Sequence, residues 1–204
     1  MTPATLTLHV DPTPSAPGLT LRPWRPDDVG ALVAAHRDPQ LRRWMVTGLE
    51  GEEDALRWIE EQEAGRVNGA CFSFAVVEQT GGAGGRSEGA AGEGRPLGHV
   101  AVRVEPDRTR PGAASEVGYW VAPEARGRGI AARALDAASR WAFGSRLPTP
   151  PDRLELLHSV ANHASCAVAR KCGYTLDSVL PPFPPLFPAE GHLHVRRSTS
   201  ITLA

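Results

Sequence analysis

Lysine is nearly absent from this chain of 204 residues: Lys171 is the only one among 22 lysines and arginines. Arginine can grip a phosphate, but it cannot act as an amine nucleophile. Cysteine is scarce too. Cys71, Cys166 and Cys172 are odd in number and none forms a CxxC pair, so no disulfide framework is expected. Reduced thiols in a cytoplasmic protein are the default reading. No run of about 18 apolar residues occurs, so no transmembrane helix is expected. The opening MTPATLTLHVDPTPSAPG lacks a charged start and a long apolar stretch, unlike a signal peptide. The net charge is −1, so no global field recruits nucleic acid or an anionic membrane.

What remains is the composition of a soluble globular domain, 41% hydrophobic and 22% charged, and long enough for one full core. Residues 1–17 read as an N-terminal extension and 18–204 as a single domain. LTLRPW (19–24) alternates like a strand. Pro26-Asp27-Asp28 places acids where a helix start wants them, with the helix running to about His36. A short turn of helix is expected near 39–46. Glu52 to Arg66 is amphipathic, with Ala55, Leu56, Ile59 and Ala64 near helical spacing. CFSFAVVE (71–78), PLGHVAVRVE (96–105) and ASEVGYWVA (114–122) follow as three strands without an intervening helix, which suggests an antiparallel meander. The Gly-rich, low-complexity segment 79–95 between the first two reads as a disordered hairpin loop. A helix over 128–143 buries Ile130, Ala134, Leu135, Ala138, Trp141 and Ala142. Then come a strand (153–161), a short helix (162–171) closed by Gly173, a strand (174–180), a Pro-rich loop (181–191) and a last strand (192–201).

The stretch that carries chemistry is EARGRGIAARAL (124–135). Arg126-Gly127-Arg128-Gly129 stands between a strand and a helix. That arrangement points free backbone N–H groups at one spot, and the helix dipole adds to their pull on an anion. A helix start with two turn glycines and surface arginines is the bland alternative. A Walker A loop is excluded because no Gly-Lys-Ser/Thr ending is present. Gly127, Gly129 and Ala132 match a GxGxxG/A fingerprint, but four residues separate the strand from the first glycine, and the antiparallel strands upstream do not make a βαβ repeat.

The order of elements, and R-x-x-G-x-A at Arg126, Gly129 and Ala131, resemble the acetyl-CoA-binding motif of the GCN5-related N-acetyltransferases (GNAT). The resemblance covers roughly residues 18–202. LRPWRPDD, EVGYWVAPEARGRGIA and NHASCAVARKCGY are similar to landmarks of the subgroup that includes the ribosomal-protein N-terminal acetyltransferases. The resemblance implies an α+β fold: a central mixed, mostly antiparallel sheet of about six to seven strands flanked by helices. It implies that the anion is the pyrophosphate of coenzyme A, held by backbone amides of Gly127, Arg128, Gly129, Ile130 and Ala131, with Arg126 and Arg128 as side-chain helpers. It also implies that the strand before the turn splays from its neighbour. The pantetheine arm would then pair with the backbone of Trp120 and Val121. Gly118 inside that strand suits a bulge or a close backbone approach, or else simple packing.

Moving acetyl from a thioester to an amine needs a neutral amine, donors for the oxyanion and, in some enzymes, a proton for the thiolate. An α-amine, with a pKa of about 8, is already partly neutral at physiological pH, so a weak or water-mediated base suffices. Glu116 is the base candidate, sharing a strand face with Gly118 and Trp120. A carboxylate exposed or paired with arginine is the alternative. His192 and His194 are rival bases. Their HxH spacing invites a metal, but no third ligand stands at a telling distance, and no metal is expected. Asn162 is implied to contact pantetheine or to cap its helix. Many family members carry a tyrosine seven residues after this asparagine as the acid for the thiolate; here that position is Ala169. Ser165, implied to lie near the sulfur, is the replacement donor.

The sequence thus leads to a cytoplasmic acetyl-CoA-dependent N-acetyltransferase, monomer or homodimer, acting on a protein or peptide N-terminal α-amine. The alternatives are a small-molecule amine (an amino acid, polyamine or antibiotic) as acceptor, or a coenzyme A-binding module without turnover.

Overall fold

A computed structural model describes residues 6–45, 48–79, 94–105, 114–144 and 150–198. Most of the Gly-rich segment lies outside the described residues. Eight strands form one sheet: β1 (Leu8–Val10), β2 (Leu19–Arg22), β3 (Cys71–Glu78), β4 (Gly98–Arg103), β5 (Ser115–Val121), β6 (Arg153–Ser159), β7 (Thr175–Leu180) and β8 (Gly191–Arg197). Their order is β1-β2-β3-β4-β5-β6-β8-β7. Every neighbouring pair is antiparallel except β5–β6, which is parallel. The sheet is therefore mixed and mostly antiparallel, as expected, with one strand more than anticipated. The addition is β1, only three residues long, which pairs Leu8 with Leu21 and Val10 with Leu19. The N-terminal extension thus supplies an edge strand.

The helices are α1 (Val29–His36), α2 (Pro39–Arg42), α3 (Glu52–Asn68), α4 (Ile130–Gly144) and α5 (His163–Lys171). The sheet separates two cores. On one face, Leu19, Leu21, Phe74, Val76, Val100, Val102 and Val117 pack with Ile130, Leu135 and Ala138 of α4 and Ala169 of α5. On the other, Trp24, Ala75 and Trp120 pack with Leu32 of α1, Leu41 of α2 and Ile59 of α3. The alternation of β5 divides it between them: Val117 joins the first core and Trp120 the second.

α4 follows its sequence pattern closely. Ala-rich spacing lets it lie flat on the sheet, while Trp141 stands edge-on to Phe72 and Phe74, with ring centroids 4.8 and 5.8 Å apart. The stripe of α3 is narrower than its sequence suggests. Ala55 and Ile59 are buried, but Leu56 and Ala64 are exposed. α1 is fixed at its start by a buried ion pair. Arg22 donates to both oxygens of Asp28 at 2.7 and 2.8 Å, and the Arg25 backbone N–H donates to Asp28 Oδ2 at 2.9 Å.

Candidate active site

β5 and β6 pair only at Ser115–Leu154, Glu116–Glu155 and Val117–Leu156. Beyond Val117, β5 keeps its bonds to β4 and β6 keeps its bonds to β8, so the two strands part. Gly118 to Val121 and Leu157 to Ser159 then face a gap with the hydrogen-bonding edges of both strands turned into it. An extended chain carrying amides fits such a gap as an added strand does. Trp120 and Val121 lie on its β5 side.

The Arg-Gly turn stands at the open end of β5, after a 3-10 turn at Pro123–Ala125. Gly127 and Gly129 have φ of +75° and +73°, the left-handed region that glycine enters without a Cβ penalty. The Gly129 carbonyl accepts the first helical bond, from Arg133 N–H at 3.1 Å. The N–H groups of Ile130, Ala131 and Ala132 thus belong to the first turn, where a helix offers them no partner of its own. Together with the left-handed glycines they form a concave set of donors suited to a phosphate. The arginine side chains are not free at this point. Arg126 donates to Asp38 and, at 2.7 Å, to Gln40 Oε1; Arg128 pairs with Glu78. The Arg126 guanidinium holds the Asp38 carboxyl below the usual carboxylate range. Arg126 therefore ties the turn to α2, and the turn's backbone N–H groups are left as the donors not engaged by these side-chain pairs.

The expected acid site at 169 is closed: Ala169 is fully buried in the core. The hydroxyls gather elsewhere. Tyr119, on the α5 side of β5, donates its O–H to Ser165 Oγ at 3.1 Å across the gap. Burial pushes the Tyr119 phenol up to about 12. Asn162 caps α5, its Oδ1 accepting from the Ser165 backbone N–H at 3.2 Å. That cap fixes where Ser165 sits. Tyr174 bonds Ser139 at 2.7 Å within the core and takes no part.

On the opposite face, Glu116 lies opposite Arg103 of β4 and pairs with it at 3.3 Å, with 47% of its side chain exposed. Glu116 is thus the exposed, arginine-paired carboxylate of the alternative reading. Gly118 makes no bulge; the β4–β5 register runs through it unbroken. A Cβ there would meet nothing within 4 Å, so packing does not demand glycine either. Beside it stands an aromatic wall that the sequence did not reveal. Trp24 and Trp120 lie 5.9 Å apart, His99 stacks on Trp120 at 5.8 Å, and Trp58 meets His99 edge-on at 5.4 Å. Trp24 Nε1–H donates to His99 Nδ1 at 3.1 Å, which places the His99 proton on Nε2. Enclosed by these rings, His99 is drawn down to about 3, chiefly by burial and next by Arg103. His36, also lowered by burial, packs edge-on to Trp120 at 5.7 Å. The residues of this wall come from the segment after β2 and from α1, α3, β4 and β5, too dispersed for any local pattern. Tyr119 was missed for the same reason, lying 46 residues from Ser165.

His192 and His194 stand with α5, alongside Cys166. Sequence spacing showed no third ligand for the HxH pair; the fold brings two, His158 from β6 and Cys166 from α5. Phe183 and Phe187 of the Pro-rich loop close a tight turn through paired backbone bonds of 2.7 and 2.9 Å and leave their rings exposed.

The family profile described as "Acetyltransferase (GNAT) domain" matches residues 18–175. The chain belongs to the GNAT acetyltransferase family. It is an acetyl-CoA-dependent N-acetyltransferase, and the mixed sheet with its β5–β6 gap is the GNAT fold. No curated protein matches the sequence significantly. Solved structures do. RimJ of Mycobacterium smegmatis, in complex with CoA-disulfide, superposes with a TM-score of 0.77 at 19% identity over 98% of this chain and 91% of that one. A structure described as a putative ribosomal-protein-serine acetyltransferase from Vibrio cholerae gives 0.71 at 22%, over 97% and 100%. The microcin C7 self-immunity acetyltransferase MccE, in complex with acetyl-CoA and AMP, gives 0.69 at 18%, over 91% and 98%. Among the described residues, no helix is long and apolar enough to cross a membrane.

Proposed function

We propose that this GNAT enzyme acetylates the α-amine of a peptide or protein N-terminus in the cytoplasm, by direct attack of the amine on acetyl-CoA in a ternary complex. The observation that carries the reading is the β5–β6 gap, with the Tyr119–Ser165 hydroxyls on one face and the Glu116 carboxylate on the other. The donor would enter from the α4–α5 side. The turn amides from Gly127 to Ala131 would hold its pyrophosphate, and the β5 edge at Trp120 and Val121 its pantetheine amides.

Ser165 would then donate to the departing thiolate. Its hydroxyl accepts the Tyr119 O–H, which orients its own proton outward into the gap and lets Tyr119 resupply it. A phenol raised to about 12 stays protonated throughout the physiological range, as a donor must. On the acceptor face Glu116, open to water, would take the ammonium proton through a water molecule. Gly118 leaves room for the incoming amine.

The peptide choice rests on likeness to acetyltransferases described as acting on ribosomal proteins and on the exposed Phe183 and Phe187 of the Pro-rich loop, apolar surface available to an extended chain. The aromatic wall of Trp24, Trp58, His99 and Trp120 favours a second reading, a compact amine bearing a flat or cationic group. Short peptides with free and with blocked N-termini, offered beside a panel of small primary amines, decide between them. Free-N-terminus peptides should be acetylated with the higher kcat/KM and blocked ones not at all. Far faster turnover of the small amines would overturn the peptide reading.

A further inference from the structure

Behind the gap, on the α5 side of the sheet, four side chains from three elements converge. His158 and His192 are directly opposed in the β6–β8 ladder, and His194 lies two pairs along, opposite Leu156. The three imidazoles therefore share one face. Their ring centroids are 5.1 Å (His158–His194), 5.5 Å (His158–His192) and 5.9 Å (His192–His194) apart. Cys166, in the first turn of α5, sets its Sγ 3.2 Å from His192 Nδ1 and 3.8 Å from His194 Nε2. One ligand atom from each of the four lies within 4.8 Å of every other.

The hydrogen bonding within the group is incomplete in a telling way. His158 Nδ1 is 2.8 Å from the Ser159 carbonyl, so it must carry the ring proton and donate it. That leaves Nε2 with an outward lone pair, and Nε2 is buried with no hydrogen-bond partner. A buried acceptor left unmatched is destabilising unless something fills its lone pair. A carbonyl fixing one ring nitrogen while the other points into a cluster is the arrangement found behind metal-bound histidines. Around a zinc ion with bonds of about 2.0–2.3 Å, tetrahedral ligand atoms stand about 3.3–3.6 Å apart. The thiol–imidazole distances of 3.2 and 3.8 Å bracket that range, and with all four atoms within 4.8 Å no pair needs to close by more than about 1.5 Å.

We propose that His158, Cys166, His192 and His194 bind one zinc ion in a tetrahedral site of one thiolate and three neutral imidazoles. That ligand set suits zinc over the harder cations. Four protein ligands close the coordination shell, so the ion is structural. On binding, the Cys166 thiol gives its proton to solvent and the thiolate sulfur bonds the metal. The consequence lies next door. β6 has lost β5 as a partner at this point, and the ion ties the first turn of α5 to the β6–β8 ladder. Cys166 is adjacent to Ser165, so the same tie steadies the hydroxyl facing the gap.

The test uses the full chain, stripped with a chelator and titrated with zinc against a competing chromophoric chelator, and separately with cobalt. One metal per chain is expected, with the strong visible bands of tetrahedral cobalt and a thiolate-to-cobalt charge-transfer band in the near ultraviolet. Cys166→Ser should abolish the charge-transfer band, and both it and His158→Gln should weaken zinc binding at least about a hundredfold. Cys71→Ser, which removes a thiol outside the cluster, should change neither. Should Cys166→Ser misfold, His192→Gln reads the same loss of affinity. Zinc uptake by the wild-type chain no tighter than by His158→Gln, or a cobalt spectrum without the thiolate band, would overturn the proposal. None of these readouts depends on acetyl transfer, so failure here leaves the acceptor assignment standing, and the reverse.

Discussion

Ser165 carries two constraints at once: its backbone N–H is bound by the Asn162 cap and its hydroxyl by Tyr119. Replacing it with alanine removes the hydroxyl and leaves the cap intact. Ser165→Ala should lower kcat roughly ten- to a hundredfold, the low end of general-acid effects because a thiolate leaves readily. Acetyl-CoA affinity should stay near wild type by calorimetry. Tyr119→Phe should produce a smaller loss of the same kind, since it acts through Ser165. Unchanged kcat in both variants would remove the hydroxyl pair from the mechanism. Glu116 answers to pH instead. At low pH the amine is mostly protonated and a base matters most, so Glu116→Gln should slow turnover by about tenfold near pH 6 and far less near pH 9. A uniform loss across pH would mark Glu116 as a structural partner of Arg103 and no more.

At the scale of elements, Gly118→Ala separates fold from function. Nothing within 4 Å would touch the new methyl, and glycine interior to a strand costs stability, so the melting temperature should hold or rise slightly. The new methyl would stand where the amine is proposed to approach, and the KM for the amine should rise several-fold; an unaltered KM would place the acceptor elsewhere. The same strand shows what a sequence can and cannot disclose. The alternation of Val117 and Trp120 assigns their faces correctly, because a two-residue period is a local property. The helix α4 and its glycine turn were equally legible, because an Ala-rich stripe and a strand-to-helix turn are local too. β1 was not, since three residues are too few to show a period. Which side of β5 would open depended on where β6 stops pairing, a fact about two strands far apart in the chain. Ser165 could be named from its motif, but its partner Tyr119 could not. The cluster of His158, Cys166, His192 and His194 was hidden in the same way, since only the β6–β8 register and the packing of α5 put the four together.

The whole molecule depends on holding its two faces apart around the gap. The Arg22–Asp28 pair anchors α1 to β2, with side chains only 4% and 6% exposed. Asp28→Ala would remove the carboxylate facing a buried guanidinium and should cost about 3–5 kcal/mol in urea unfolding, far above a surface ion pair. A change under about 1 kcal/mol would show that water takes over the role of Asp28. Acid should loosen the acceptor face in particular. With His99 at about 3 in the folded state and about 6.5 when unfolded, the unfolded chain binds the proton more readily between those values. Stability from the neutral ring is fully present above about pH 6.5 and is lost as pH falls toward 3. His99→Phe should flatten that part of the stability profile; a slope as steep as wild type would assign it to other groups. The central claim is that the turn from Arg126 to Ala131 holds the acetyl donor by its backbone amides. Calorimetric titration of acetyl-CoA into the wild type and Gly129→Asp, each first shown to be folded by its melting curve, tests it most directly. Aspartate tolerates positive φ better than most residues, yet sets a negative charge against the pyrophosphate. Affinity should fall at least about tenfold, the 1.4 kcal/mol that one misplaced charge readily supplies. A folded Gly129→Asp that binds acetyl-CoA as tightly as wild type would contradict the account.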